Sequence, residues 1–214
     1  MKIFIPIKER SQRVPNKNFR IFQGNPLYKH TLKKLNKFKV YVDTDSETMY
    51  NGILADSSLK HVTPYMRKPE LMGDDVSVCI LIVDFLARFS IEHETLCQLH
   101  VTSPFLKTGT LLSAADKMQV YDSVISCNAL QTRLWRKEWY GMCPVNHNPV
   151  ALQQTQDLPI LYEENSLFYI FNSDIILKTG NRIGNNPYFY ETKFPENIDI
   201  DWESDWDLAN MVKK

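Results

Sequence analysis

An α/β fold with a mostly parallel central sheet is what this sequence predicts, on three observations. Apolar runs of strand length alternate with segments of helical period, the pattern of strand–helix–strand units. Polar turns follow the apolar runs at their carboxyl ends. The 214 residues, 43% hydrophobic and 23% charged, suit a single domain over 1–214 with enough chain to bury a core. In order, Lys2–Ile7 (KIFIPI) reads as a short buried strand and the basic stretch Lys8–Arg20 as a loop. Pro26–Leu35 carries helical spacing at Leu27, His30, Thr31 and Leu35. Lys39–Val42 is a second strand, ended by Asp43-Thr44-Asp45. Ser46–Leu54 is a helix with Ser46 as its N-cap, and His61–Tyr65 a third strand. Asp75–Phe89 is the clearest helix, apolar almost all round and therefore expected to be well buried. Thr95–Val101 reads as a central strand leading into Thr102-Ser103-Pro104, Thr108–Met118 as a helix and Ser123–Cys127 as another strand.

The pattern breaks over 129–160, where Trp135, Trp139, Tyr140 and three prolines leave no clear period. That stretch predicts an irregular or β-rich insertion whose exposed aromatics either meet a partner subunit or form a surface flap. Regular structure resumes in strands at Leu167–Phe171 and Ile198–Ile200 and closes in a helix over Glu203–Val212. Parallel sheets bind ligands beyond the carboxyl ends of their strands, so the Lys8–Arg20 loop, the Asp43–Asp45 turn and the Thr102–Pro104 turn should share one rim.

Formal net charge is zero, which predicts no nucleic-acid partner. The distribution is uneven. Residues 1–40 hold eleven Lys or Arg and one acid, Glu9, whereas residues 191–207 hold seven acids and one base, Lys193. The two ends either converge on one anionic ligand and its metal or are separate solvated faces. Four widely spaced cysteines form no zinc pattern, and Cys79, Cys97 and Cys127 read as buried thiols. Met1–Ile7 runs straight into a charged loop, unlike a signal peptide, and the apolar run Val76–Ile82 is too short to span a bilayer. Neither a membrane nor an oxidising compartment is expected, and a cytoplasmic setting fits.

The chemistry concentrates at the two ends. A triphosphate carries about four negative charges and needs several cations with amide donors around it. Lys8, Arg13 and Lys17 suit that task, and Asn18 presents an amide able to read a base edge. At the other end, Asp199 and Asp201 are two apart in an apparent strand, so their side chains share a face. Two carboxylates together call for a cation, and a hard divalent ion such as Mg²⁺ fits. Glu203 and Asp205 suit a helix N-terminus better.

The stretch Ile5–Asn18 (IPIKERSQRVPNKN) resembles the signature of the acylneuraminate cytidylyltransferases, the CMP-sialic acid synthetases, roughly I-P-A-R-x-G-S-K-R-I-P-N-K-N. Pro6, Ser11, Arg13, Pro15, Asn16, Lys17 and Asn18 match it. Ile198–Ala209 (IDIDWESDWDLA) is similar to the I-D-I-D-T-E-x-D-L of related enzymes. Weaker likenesses fall between in order: Val42–Asp45 to V-S-T-D, Arg67 with Glu70, Leu71 and Asp74 to R-P-x-E-L-x-x-D, His100–Pro104 to Q-P-T-S-P, and Gln156–Pro159 with Asn165 and Tyr169 to Q-D-L-P followed by E-x-N-G-x-x-Y-I.

The resemblance implies a Rossmann-like nucleotidyltransferase with a small dimerisation insertion at about 129–160, acting as a homodimer on CTP and an acidic sugar. It implies nucleotide contacts from Lys8, Arg10, Ser11, Arg13, Lys17, Asn18 and Arg67, and sugar contacts from His100, Thr102, Ser103, Gln156 and Asn165. Asp199 and Asp201 would hold Mg²⁺, and Arg13, Lys17 and Asp201 would carry the transfer of CMP to the anomeric hydroxyl as pyrophosphate leaves. The chain departs from the pattern at several points. Lys8 stands for the usual Arg, Glu9 and Arg10 for small or Gly residues, Gln12 for Lys, His100 for Gln and Ser166 for Gly, and no basic residue precedes Gln156. Other acidic acceptors (3-deoxy-manno-octulosonate, pseudaminic or legionaminic acid, a phosphonate) and a non-catalytic nucleotide binder remain alternatives. A dinucleotide-binding dehydrogenase does not fit a first loop without glycine.

Overall fold

The computed structural model describes residues 1–212. Strand β1 (Lys2–Ile7) leads through the basic loop and a 3-10 turn (Lys17–Phe19) to a small hairpin, β2 (Ile21–Phe22) and β3 (Asn25–Pro26). Helix α1 (Leu27–Lys34), strand β4 (Lys39–Thr44), helix α2 (Glu47–Leu54) and strand β5 (Val62–Met66) follow. Ser46 caps α2 as expected, its Oγ accepting from the Met49 amide at 3.3 Å. Helix α3 (Val78–Phe89), strand β6 (Thr95–Leu99), helix α4 (Thr108–Ala115) and strand β7 (Ser123–Leu130) come next. A second hairpin, β8 (Trp135–Glu138) and β9 (Gly141–Pro144), sits in the aperiodic stretch, whose remainder up to residue 160 is largely irregular. The chain closes with strand β10 (Leu161–Asn172), helix α5 (Ser173–Thr179), strand β11 (Pro187–Glu191) and helix α6 (Glu203–Val212).

Seven strands form one sheet in the order β11-β7-β10-β6-β1-β4-β5. β1 pairs in parallel with β4 and β6, β4 with β5, and β11 with β7, whereas β10 runs antiparallel between β6 and β7. Six strands therefore share one direction. Period-2 alternation divides the core. Ile3, Ile5 and Ile7 face α1, α2 and α4, while Phe4 faces α3 and α5. Each fully buried aliphatic or aromatic side chain in these layers contributes about 1.5–3 kcal/mol relative to exposure.

Several expectations are corrected. The helix expected from Asp75 starts at Val78, because the Ser77 hydroxyl caps it, accepting from the Cys79 amide at 3.3 Å. It is not buried all round: Ile80 and Val83 remain 51% and 38% exposed. A helix in an outer layer has only one face against the sheet. For the same reason Cys79 is only half-buried, while Cys97 and Cys127 are buried. Ile198–Ile200 is not a strand but an irregular segment outside the sheet. β11 and α5 lie where no element was read. No helix among the described residues is long and apolar enough to cross a membrane.

Candidate active site

β6, β1 and β4 are parallel neighbours, so the polar segments leaving their carboxyl ends meet on one rim. The first is the glycine-free loop after β1. Val14, fully buried, plugs its middle into the protein, and Asn16 takes a positive φ of 53°, a conformation asparagine tolerates. Asp74 ties the loop down. It accepts from Lys8 Nζ at 2.8 Å and from Gln12 Nε2 at 2.7 Å, and the Lys8 contact holds its carboxyl below the usual range. Asn18 Nδ2 donates to the Lys8 carbonyl at 2.9 Å, and its Oδ1 is buried without a partner. Glu9, an unwelcome charge beside phosphates, is turned away: its carboxylate accepts from Ser46 Oγ at 3.2 Å at the start of α2.

The acidic end reaches this loop through a satellite core. Ile198, Ile200, Trp206 and Ala209 pack with Phe22 and Leu27. The Ile200 amide donates to the Thr102 carbonyl at 2.9 Å. With the isoleucines anchored inward, Asp201 reaches the cations of the basic loop, while Asp199 keeps its Oδ1 buried. Asp201 pairs with Arg13 at 2.8 Å and Lys17 at 3.2 Å, and Lys17 Nζ also donates to the Ile200 carbonyl. Asp205 serves the helix instead, its Oδ2 accepting from the Asp201 and Trp202 amides at 2.9 and 2.7 Å, the reach-back of a capping box. Both carboxylate oxygens of Glu203 accept from a single nitrogen of Arg20, Nη1, each at 2.7 Å. The basic start and acidic end are thus partners, not separate solvated faces.

A cavity of about 260 Å³ is lined by Lys8, Arg10, Ser11, Arg13, Lys17, Asn18, His100 and Thr102 together with Gln12 and Asp74; its lining takes in Arg13 and Lys17, the partners of Asp201, but neither Asp201 nor Asp199. Asp74 and Gln12 were not singled out as site residues. Asp74 belongs to one of the weaker likenesses, but nothing in the sequence shows that it tethers the loop. Burial, reinforced by Arg182 and Lys17, pushes the His100 imidazole down to about 4, so the ring is neutral near pH 7.

Other sequence-chosen residues lie apart from this lining. Ser103 is adjacent but fully buried, its Oγ without a partner. Arg67 is buried in an ion pair with Asp43 at 2.8 Å, both side chains 1% exposed. Asn165 donates to Asn128 Oδ1 at 3.0 Å and Thr192 Oγ1 at 2.7 Å on the far strands of the sheet. Gln156 is exposed in a 3-10 turn of the insertion.

For a metal, the candidate donors are Asp199 and Asp201. Asp199 Oδ1 is buried with no hydrogen-bond partner, and burial together with the charge of Asp201 raises its carboxyl above the usual range. An orphaned acceptor beside a second carboxylate fits a hard divalent cation whose other ligands are waters and substrate oxygens. Among the described residues no cluster of three or more His, Cys, Asp or Glu could hold a metal by itself.

Known proteins resemble the chain over almost its whole length. It is 29% identical to a CMP-N,N'-diacetyllegionaminic acid synthase of Legionella pneumophila, over 97% of this chain and 94% of that protein. It is 31% identical to N-acylneuraminate cytidylyltransferase A of Danio rerio, over 94% of this chain and 48% of that one, so it spans about half of this longer relative. Its fold superimposes on CMP-2-keto-3-deoxy-manno-octonic acid synthetase complexed with CTP, with a TM-score of 0.67, 13% identity and coverage of 99% and 97%. A 4-diphosphocytidyl-2C-methyl-D-erythritol synthase from Anaerococcus prevotii gives 0.69, 12%, and 99% and 95%. The family profile described as Cytidylyltransferase matches residues 3–214, and the chain belongs to that family.

Proposed function

We propose that this protein transfers CMP from CTP to the anomeric hydroxyl of an acidic 2-keto sugar of the sialic or legionaminic type, releasing pyrophosphate. The observation that carries this reading is the pairing of Asp201 with Lys17, a cation of the cavity lining, 3.2 Å apart although 184 residues separate them in sequence. Family membership and the names of the relatives support the same chemistry.

Lys8, Arg10 and Ser11 bind the triphosphate from the loop, and Arg13 and Lys17 neutralise charge on the departing pyrophosphate. Asn18, whose Oδ1 lacks a partner, is placed to read the base. His100 and Thr102 line the sugar side, and their fixed positions align the hydroxyl for in-line attack at the α-phosphorus, the main source of rate in such transfers. Asp199 and Asp201 would hold Mg²⁺, which when bound polarises phosphate oxygens. The buried Asp43–Arg67 pair supports the strand ends beneath the nucleotide side. The exposed aromatics of the β8–β9 hairpin suit a homodimer, and four unpaired thiols suit a reducing cytoplasm.

Pyrophosphate release from CTP and Mg²⁺, measured with sialic, legionaminic, pseudaminic and 3-deoxy-manno-octulosonic acids, tests the reading. The expected result is release that requires both CTP and one of these acids, with a CMP-sugar as product. No turnover with any of them would remove it, and the absence of calorimetric CTP binding would remove the nucleotide site as well.

A further inference from the structure

We infer that Arg182, acting through Gln98, locks His100 in its neutral Nδ1–H tautomer and so gives the cavity a fixed hydrogen-bond donor for an oxygen of the sugar acid. The sugar part rests on the function proposed above; the tautomer part does not.

Gln98 lies in β6, and His100 follows two residues on, just beyond the last strand residue, Leu99. Gln98 is fully buried. Arg182 Nη1 donates to its side-chain oxygen, Oε1. A guanidinium has no acceptor, so only the carbonyl end of the amide can face it. The amide nitrogen is thereby turned towards His100, 2.8 Å from Nε2. That nitrogen only donates, so Nε2 must offer its lone pair and the ring proton must lie on Nδ1. A protonated ring would set two donors against each other, and the lowered pKa of His100 acts in the same direction. Nδ1 has no hydrogen-bond partner within the protein among the described residues, and His100 is one of the residues that line the cavity, with Lys17 and Thr102.

Arg182 is itself held in place. Its Cζ lies 3.5 Å from the centroid of the Tyr169 ring, directly across the sheet from Gln98, and the Tyr169 hydroxyl donates to Glu164 Oε2 at 2.8 Å. Arg182 is not among the residues that line this cavity and is a positioning residue.

Nitrogen-15 NMR of the full chain with labelled histidines reads the tautomer directly. The chain has five histidines, and the His100 signals are those lost in His100→Phe. The expected spectrum at pH 7 has a protonated Nδ1 and a bare Nε2; a protonated Nε2 overturns the inference. Arg182→Met, checked for folding by thermal melting, should show mixed tautomers. It should also raise KM for the sugar acid roughly 3- to 10-fold, the scale of one hydrogen bond, with KM for CTP moved less than about twofold. An unchanged tautomer, or a fall in kcat with the sugar KM unmoved, overturns it. Arg182→Lys keeps a donor for Gln98 Oε1 and should recover the wild-type tautomer; if Arg182→Met does not fold, this variant and the wild-type spectrum decide. His100→Asn puts an amide nitrogen near the position of Nδ1 and should recover most of the sugar affinity that His100→Phe loses; an Asn variant as weak as Phe counts against the donor. If no sugar acid is turned over, the proposed function and the sugar contact fail together while the spectra still decide the relay.

Discussion

At the residue scale the site depends on Asp201. It is the carboxylate to which two cations of the basic loop are drawn, Arg13 at 2.8 Å and Lys17 at 3.2 Å. A triphosphate entering the cavity competes with Asp201 for those cations, and a divalent ion competes with the cations for Asp201. Asp201→Asn keeps the shape and removes the charge. Turnover is expected to fall at least about a hundredfold, the scale of losing a main electrostatic stabiliser. The side chain is on the rim and partly exposed, so the melting temperature should change little. Steady-state rates with saturating CTP, beside a thermal melt, check both parts; near-normal kcat would remove Asp201 from the reaction. Glu9 shows how a departure from the family pattern is accommodated, since its charge is spent on Ser46 rather than facing the phosphates.

At the scale of elements, β10 is the least regular. Its pairing with β7 shifts register between Glu164 and Tyr169, and Ser166 in that bulge has φ of 58°. An L side chain in this region is strained, which is why glycine is favoured in such bulges. The Ser166 hydroxyl compensates little, lying 3.4 Å from the Tyr169 hydroxyl. Ser166→Gly should therefore stabilise the protein by about 0.5–1 kcal/mol, even after the greater freedom of glycine in the unfolded chain is allowed for. Urea denaturation checks this; a variant less stable than wild type would show that the serine is not strained. The satellite core beneath α6 explains a feature of the Ile-Asp-Ile-Asp segment that strand pairing does not. Alternation persists without a partner strand because Ile198 and Ile200 are held by Phe22 and Trp206.

At the scale of the whole molecule, the segment 129–160 exposes several large apolar side chains close together in sequence. Trp139 is 93% exposed, and Trp135, Tyr140, Met142, Val150 and Leu152 are exposed with it. Surfaces of this kind mark interaction sites. Sedimentation equilibrium at micromolar concentration should report a homodimer, and the double variant Trp139→Glu, Leu152→Glu should report a monomer that still melts cooperatively. A wild-type monomer at that concentration would refute the dimer.

By itself the sequence determined the alternation of elements, the run of β1, the cap at Ser46 and the opposite charge of the two ends, whose pairing through Asp201 and Glu203 came from the tertiary structure. Hydrophobic period, capping chemistry and charge are local properties, legible over a few residues. Only the tertiary structure decided that β10 runs against its neighbours, that Pro187–Glu191 adds a strand at the sheet edge, that Ile198–Ile200 stays outside the sheet, and that Arg67 turns to Asp43. It alone brought Arg182 to Gln98 across 84 positions. Strand direction, edge pairing and the partner of a buried charge are set by what packs alongside, and no local pattern of residues encodes a neighbour that distant in the chain.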